Sequence, residues 1–511
     1  MSKTEERLLK KQVERETKIE EQIKKGKVKR VVYEERKKKW ALPNRISPFL
    51  MSEDELRDRQ ETVEKAAAIY YRMLSRLLPK LSRIEDPRKP GKIKHKMDVL
   101  LLYGILMLMY QIGSRRKANQ TMSRPVFFEN LNAMFPELRS IPHADTLARL
   151  LERLDVTQIM ECMIELLKEL IRSKKFRNFL HKKRYLIAVD GTQKYFRTYQ
   201  WASECLERHV GGEGRIPQYY CYVLEAVLVL DNGIILPVMS EFIENTGGNG
   251  DEGKQDCERK GFYRMAKKLK KIFRNTKLFI VADGLYACGP IITICRKYGW
   301  DYMIVLKEDS MPNVWKEALA LMKINPENRL KCFWGNREQT YAWANEIEYE
   351  YTTENGMKKE ILNVVICYET WVENHLKSSG VAEEKQTRYA WLSSREISHK
   401  NVFYRCTRIA RYRWKIENNI LIEKHQGYEY EHCFSYSWNA MKGFHYLMKI
   451  GHFLNVLALN SELLSDKVRE LGIRGFIRYL KLACQGYPLD KQRIKEARDR
   501  KFMWKLDPIA A

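Results

Sequence analysis

The apolar positions of this chain change period twice. From Glu53 to about Leu170 they recur at the three- and four-residue spacing of helices packed on a core. Residues 97–112 form one apolar segment, whose run from Val99 is preceded by Asp98 and ended by Gln111, too short to span a bilayer; they predict a buried core helix. Residues 142–151 predict another helix, N-capped by Asp145. At Arg184 the pattern becomes that of strands. Leu186-Ile187-Ala188-Val189 is a continuous apolar run stopped by Asp190-Gly191, as a strand buried on both faces and followed by a turn would be. The same arrangement returns at 277–284, where the apolar run stops at Asp283-Gly284. Between the two, residues 220–230 and 234–243 predict strands joined by the hairpin signal Asp231-Asn232-Gly233.

A basic amphipathic helix over 256–274, a helix over 290–298 and a strand over 301–307 complete this region. Three strands, helix, strand, helix, strand is the order of an RNase H-like mixed-sheet core, in which the first and fourth strands are neighbours. That adjacency would set Asp190 beside Asp283. From 310 to 398 the pattern is β-rich: Ile347, Tyr349 and Tyr351 alternate with glutamates, and Asn355-Gly356 turns the chain into 361–368. Trp315, Trp334, Trp343, Trp371 and Trp391 lie in or beside this stretch, most of them as packing, with room for one or two to stack on an unpaired base. Residues 408–425 then predict one helix. At about 100° per residue Glu417 falls about 40° from Arg413, and Lys424 about 20°, so one stripe carries all three. A salt-bridged solvent face would have the same spacing.

Composition narrows the partner. The 511 residues carry a formal net charge of +27, which favours an acidic polymer, nucleic acid first. No secretory apolar run follows the charged start MSKTEERLLKK, and the first 40 or so residues predict a solvated helix or arm. Eleven cysteines without a CxxC pair predict reduced thiols in a cytoplasmic setting. The helical region shows no helix-turn-helix signature from which to name a recognition helix.

Two strands delivering carboxylates to one sheet edge, with a third carboxylate between cations, would suit Mg²⁺ or Mn²⁺ and phosphoryl transfer. VDGT at Asp190, ADG at Asp283, and RYRWKIEN with Lys424 and GYEYEH resemble the DDE transposases of bacterial insertion sequences, in the branch with a β-rich insertion before the glutamate. The resemblance covers residues 184–459. That family's helix motif is Tyr-x2-Arg-x3-Glu-x6-Lys; here Arg413, Glu417 and Lys424 are in register, and Ala410 stands in the tyrosine's place. The resemblance implies that Asp190, Asp283 and Glu417 are catalytic and hold two divalent ions, and that Arg413 and Lys424 contact DNA. It implies transposon-end and target DNA as partners, a homodimer on DNA, and a nucleoid-associated enzyme with no membrane. The expected layout is a charged arm (1–50), an α-helical DNA-binding domain (51–180), an RNase H-like core in two parts (181–309 and 399–460) around the β-rich insertion (310–398), and a basic C-terminal region (461–511). A nuclease without strand joining would share the site; a non-enzymatic DNA-binding derivative would not need three acids.

Overall fold

The computed structural model describes residues 3–26, 28–33, 48–211, 215–245, 256–354, 356–374 and 381–507. These fall into two compact units, one built from residues 47–281 and 411–511, the other from 1–46 and 282–410. The architecture is mixed α/β with a helical N-terminal region.

In the first unit six helices open the chain: α1 (Ser52–Leu81), α2 (Met97–Met109), α3 (Arg115–Met122), α4 (Pro125–Met134), α5 (Ala144–Leu151) and α6 (Thr157–Arg172). Then follow β1 (Tyr185–Arg197), β2 (Leu206–Val210), β3 (Ile216–Val229), β4 (Ile235–Ile243), α7 (Glu258–Phe273) and β5 (Leu278–Ala282). After residue 410 come α8 (Trp414–His425), α9 (Trp438–Leu459), α10 (Ser465–Leu471), α11 (Ile473–Gly486) and α12 (Lys491–Asp499). Every residue of α2 except Asp98 is buried, so the apolar segment is a core helix, as its length requires. No helix among the described residues is long and apolar enough to cross a membrane. Its main partner is α9, most of which is buried too. The two backbones approach closely at Gly451, where a Cβ would stand 3.0 Å from the Met109 nitrogen and 3.3 Å from the Leu108 carbonyl carbon. The C-terminal α11 and α12 pack on α1 and α4. The helical region and the chain's last hundred residues therefore share one core, which their separation in sequence hides.

The sheet of this unit is mixed. β1 pairs antiparallel with β3 from Leu186 opposite Val229 to Arg197 opposite Tyr219, and parallel with β5 from Tyr185 opposite Leu278 to Ala188 opposite Val281. The expected adjacency of the first and fourth long strands is thus present. The other edge of β3 pairs with β2 and then β4. Helices α6, α7 and α9 cover β4, and α8 lies on β1.

The other unit contains a helix Gly289–Tyr298 and an antiparallel run of strands in the order Asp301–Val305, Val381–Ser393, Gly356–Asn374, Arg337–Thr353, Arg329–Trp334. A helix, Pro312–Ile324, stands in the stretch expected to be β-rich; Pro312 at its first turn starts it and buried Val314, Trp315, Ala318 and Met322 hold it. Trp343 and Trp391 are buried packing, Trp371 lies under the Arg337 guanidinium at 4.3 Å, and Trp334 is exposed at a strand end. Of the N-terminal arm, Lys3–Lys24 is helical and Val28–Tyr33 pairs with the far end of Val381–Ser393. Asn355 of the expected turn lies outside the described residues; Gly356 has φ +98°.

Three local expectations are corrected. Asp190-Gly191 is no turn: β1 runs on through it, because β3 supplies backbone partners as far as Arg197. Glycine fits there because a Cβ would meet the Tyr222 hydroxyl at 2.5 Å and the Glu258 carboxylate at 2.6 Å. The N-cap of α5 is His143, whose Nδ1 accepts from the Asp145 amide; Asp145 sits within the first turn. Residues 408–425 are not one regular helix. A π turn (Arg405–Ile409) and a 3-10 turn (Ala410–Arg413) precede α8.

The Gly451 contact generates a test. Gly451→Leu inserts four carbons against the α2 backbone, which cannot rotate away, and should cost about 3 kcal/mol or more. Chemical denaturation of the purified protein against wild type measures it.

Candidate active site

The site begins with the register of β1. Asp190 stands opposite Glu225 of β3 on the same sheet face. Asp190 Oδ1 accepts from the Gly191 amide at 3.0 Å, which steadies the carboxyl near its own backbone. The chain preceding α8 brings in Arg413, whose Nη1 lies 2.7 Å from Glu417 Oε1 and 3.4 Å from Asp190 Oδ2. The two carboxylate oxygens are therefore no more than about 6 Å apart, although 226 residues separate them along the chain. The Arg413 side chain is 9% exposed, against 19% for Asp190 and 35% for Glu417, so the cation lies beneath and the acids face outward. Arg413 is also stacked 4.5 Å from the ring centre of Trp414. A guanidinium shared by two carboxylates offsets their repulsion and fixes their separation.

Lys424 sits on the same helix. Its Nζ pairs with Glu431 Oε1 at 2.9 Å and donates to the Gln193 carbonyl at 3.2 Å, so it bridges α8 to β1 three residues beyond Asp190. Asp283 follows β5 in the other unit, where its Oδ1 accepts from the Leu285 amide at 2.9 Å and caps a 3-10 turn, Gly284–Tyr286. Among the described residues no group of three or more His, Cys, Asp or Glu side chains is placed to hold a metal ion. Asp190 and Glu417 offer the hard oxygen ligands that Mg²⁺ or Mn²⁺ takes.

Behind these acids lies a second charged group, missed in the sequence. Lys449 of α9, almost fully buried, is 3.0 Å from Glu225 Oε1 and 2.6 Å from Glu423 Oε2. His452 Nδ1 is 2.7 Å from the other Glu423 oxygen. Glu225 also accepts from the Ser240 hydroxyl at 2.7 Å and the Tyr430 hydroxyl at 2.8 Å, while His445 Nε2 lies 2.9 Å from Ser240 Oγ. Lys194 of β1 donates to the Tyr430 carbonyl. Burial acts to raise both glutamates, and Lys449 with the histidines outweighs it and holds them low. Burial lowers Lys194 to about 8 and His445 to about 4. The signal available in the sequence was a lone Glu225 inside YCYVLEAVLVL, and His445, Lys449 and His452 inside an apolar helix.

Residues 78–167 match the family model described as DDE_Tnp_1-associated. The match runs from the end of α1 into α6, and so falls outside the stretch that carries the three acids. No curated protein matches the chain. A domain associated with DDE transposases suggests a DDE-type transposase family.

His445 generates a prediction about acid stability. Its native value lies near 4 and an unfolded histidine titrates near 6.5, so unfolding takes up a proton between those values. The stabilisation is complete above pH 6.5 and is lost as pH falls toward 4, by up to about 3 kcal/mol. Denaturant unfolding at several pH values should show this slope, and His445→Gln should flatten it; the glutamates it faces add their own loss only below about pH 4.3.

Proposed function

We propose that this chain is a DDE transposase that binds the ends of its element, hydrolyses a phosphodiester bond there and joins the freed 3′-hydroxyl to target DNA. The observation that carries the reading is the convergence of Asp190 and Glu417 on one guanidinium. Two acids from separate motifs meet over one face of the mixed sheet, in a chain whose helical region matches a transposase-associated family. The parallel pairing of β1 with β5, and the antiparallel β3 and β4, support an RNase H-like core. Asp283 is proposed as the third acid: Val281 is opposite Ala188, and each aspartate follows two residues later in its own chain segment.

Asp190, Asp283 and Glu417 would hold two Mg²⁺ or Mn²⁺ ions. Bound there, such ions lower the pKa of water and stabilise a leaving oxygen. The residues of the chain do the rest. Arg413, which reaches both carboxylates, would hold a phosphate oxygen near the scissile bond. Lys424, fixed between Glu431 and the Gln193 carbonyl, sets the edge along which the DNA backbone runs. Phosphate contacts of this kind give position and little sequence information. A homodimer on DNA would bring two ends together, and such an enzyme would work in the cytoplasm on the nucleoid.

The test is cleavage of DNA carrying the element's ends by the purified full-length protein in Mg²⁺, followed by capture of the cut end in a plasmid. Cutting without capture would leave a nuclease, and binding without cutting would sink the enzymatic reading. Glu417→Gln should keep the fold and bind end DNA within about threefold of wild type, yet lose cleavage by at least about a thousandfold, since a metal-binding charge is gone and its shape remains. Lys424→Ala should weaken matched and scrambled DNA alike and reduce the salt slope by about one unit. An unchanged slope would confine Lys424 to its pairing with Glu431.

A further inference from the structure

The roll of α8 about its own axis decides whether Glu417 faces Asp190, and apolar packing alone does not set that roll. The inward residues of this short helix are Ile416, Asn419, Ile420 and Glu423, the i, i+3, i+4, i+7 set, half of it polar. Leu421 and Trp414, large and apolar, are 51% and 50% exposed. Ile416 and Ile420 lie on the opposite face from these two, so hydrophobic burial does not by itself choose between the observed roll and one that buries Leu421 and Trp414. The preceding π and 3-10 turns add no regular helix to brace it. Besides Lys424, whose Nζ donates to the Gln193 carbonyl, the observed roll is held by Glu423, completely buried, with Asn419 Nδ2 donating to it at 3.2 Å, His452 beside it and Lys449 at 2.6 Å. The same Lys449 ammonium reaches Glu225, and Glu225 is the residue opposite Asp190 across β1 and β3. One buried cation therefore ties the helix bearing Glu417 to the strand beside Asp190.

We propose that Lys449 is a positioning residue, which locks the roll of α8 against β3 through Glu423 and Glu225 and so keeps Glu417 turned toward Asp190. The cleavage consequence rests on the function proposed above; the locking of α8 does not. Buried ion pairs contribute little net stability compared with apolar replacements, but they restrict the arrangements a buried surface accepts. Lys449 touches neither Asp190 nor Glu417, and its effect on chemistry would pass through backbone geometry.

The variant is Glu423→Gln/Lys449→Met in the full-length protein. It removes one negative and one positive charge together and leaves Glu225 its Ser240 and Tyr430 donors. Glu423→Gln alone, which retains the Lys449–Glu225 pair, is the milder companion if the double variant yields little folded protein. Two readouts apply to both. Hydrogen exchange of the α8 amides should speed up by about tenfold or more while the α2 and α9 amides keep their protection, which a general loss of stability would not produce. Single-turnover cleavage with enzyme in excess should show a rate constant about ten- to a hundredfold lower at unchanged amplitude, as expected for a misplaced acid. Unchanged α8 exchange would overturn the proposal whatever the activity. Loss of amplitude at the wild-type rate constant would also overturn it, because Lys449 would then only support folding. A wild-type protein that never cuts end DNA would remove the transposase reading alone, and α8 exchange would still decide the role of Lys449.

Discussion

The antiparallel register between β1 and β3 is the constraint on which the rest of the site depends. A slip of one residue would turn Asp190 to the other face of the sheet and carry Glu225 away from Lys449. The apolar run Leu186 to Val189 against Ala226 to Val229 would itself tolerate a slip; the register is fixed by the positions beyond it, Glu225 on Lys449 and Gly191 beneath Tyr222 and Glu258. It also explains why β1 continues past Asp190. An aspartate at a strand end would be free to move with its turn; one in the middle of a paired strand is fixed to the sheet.

Arg413 has a part that its spacing in the sequence does not disclose. Two carboxylates within about 6 Å repel each other, and without a cation between them that repulsion would push α8 away from β1. The guanidinium, stacked on Trp414 and mostly buried, supplies that charge from below. The acids are thereby held in place and still present their outer edges to solvent.

Long, uniform segments are legible in the sequence, and the three candidate acids stand out in it because each lies at the end of an apolar run or on an obvious stripe. The core helix α2, the β3–β4 hairpin and the parallel neighbours β1 and β5 were all visible in hydrophobic pattern and turn chemistry. What could not be read was anything decided by residues far apart. Asp190-Gly191 has the local signature of a turn, and only the partners on β3 and the crowding by Tyr222 and Glu258 make it a strand. Residues 408–425 have helical spacing throughout, yet π and 3-10 turns occupy their start. Glu423 looks like a surface charge beside Lys424 and His425, and Lys449 stands in an apolar helix with no partner nearby in sequence, until the fold buries them together.

The sharing of a core by α2 and α9 has a consequence for the chain while it is being made. Met109 leaves the ribosome about 330 residues before Trp438. At about 5–20 residues per second that interval lasts roughly 15 to 65 seconds. During it, a helix whose every residue but Asp98 is destined for burial lacks its main partner, while the intervening unit, 282–410, is synthesised and can close its antiparallel strands by local pairing. The unit that carries Asp190 and Glu417 is thus the last to be completed. Its nascent form presents an apolar surface for which a chaperone, or a neighbouring copy on the same message, competes with α9.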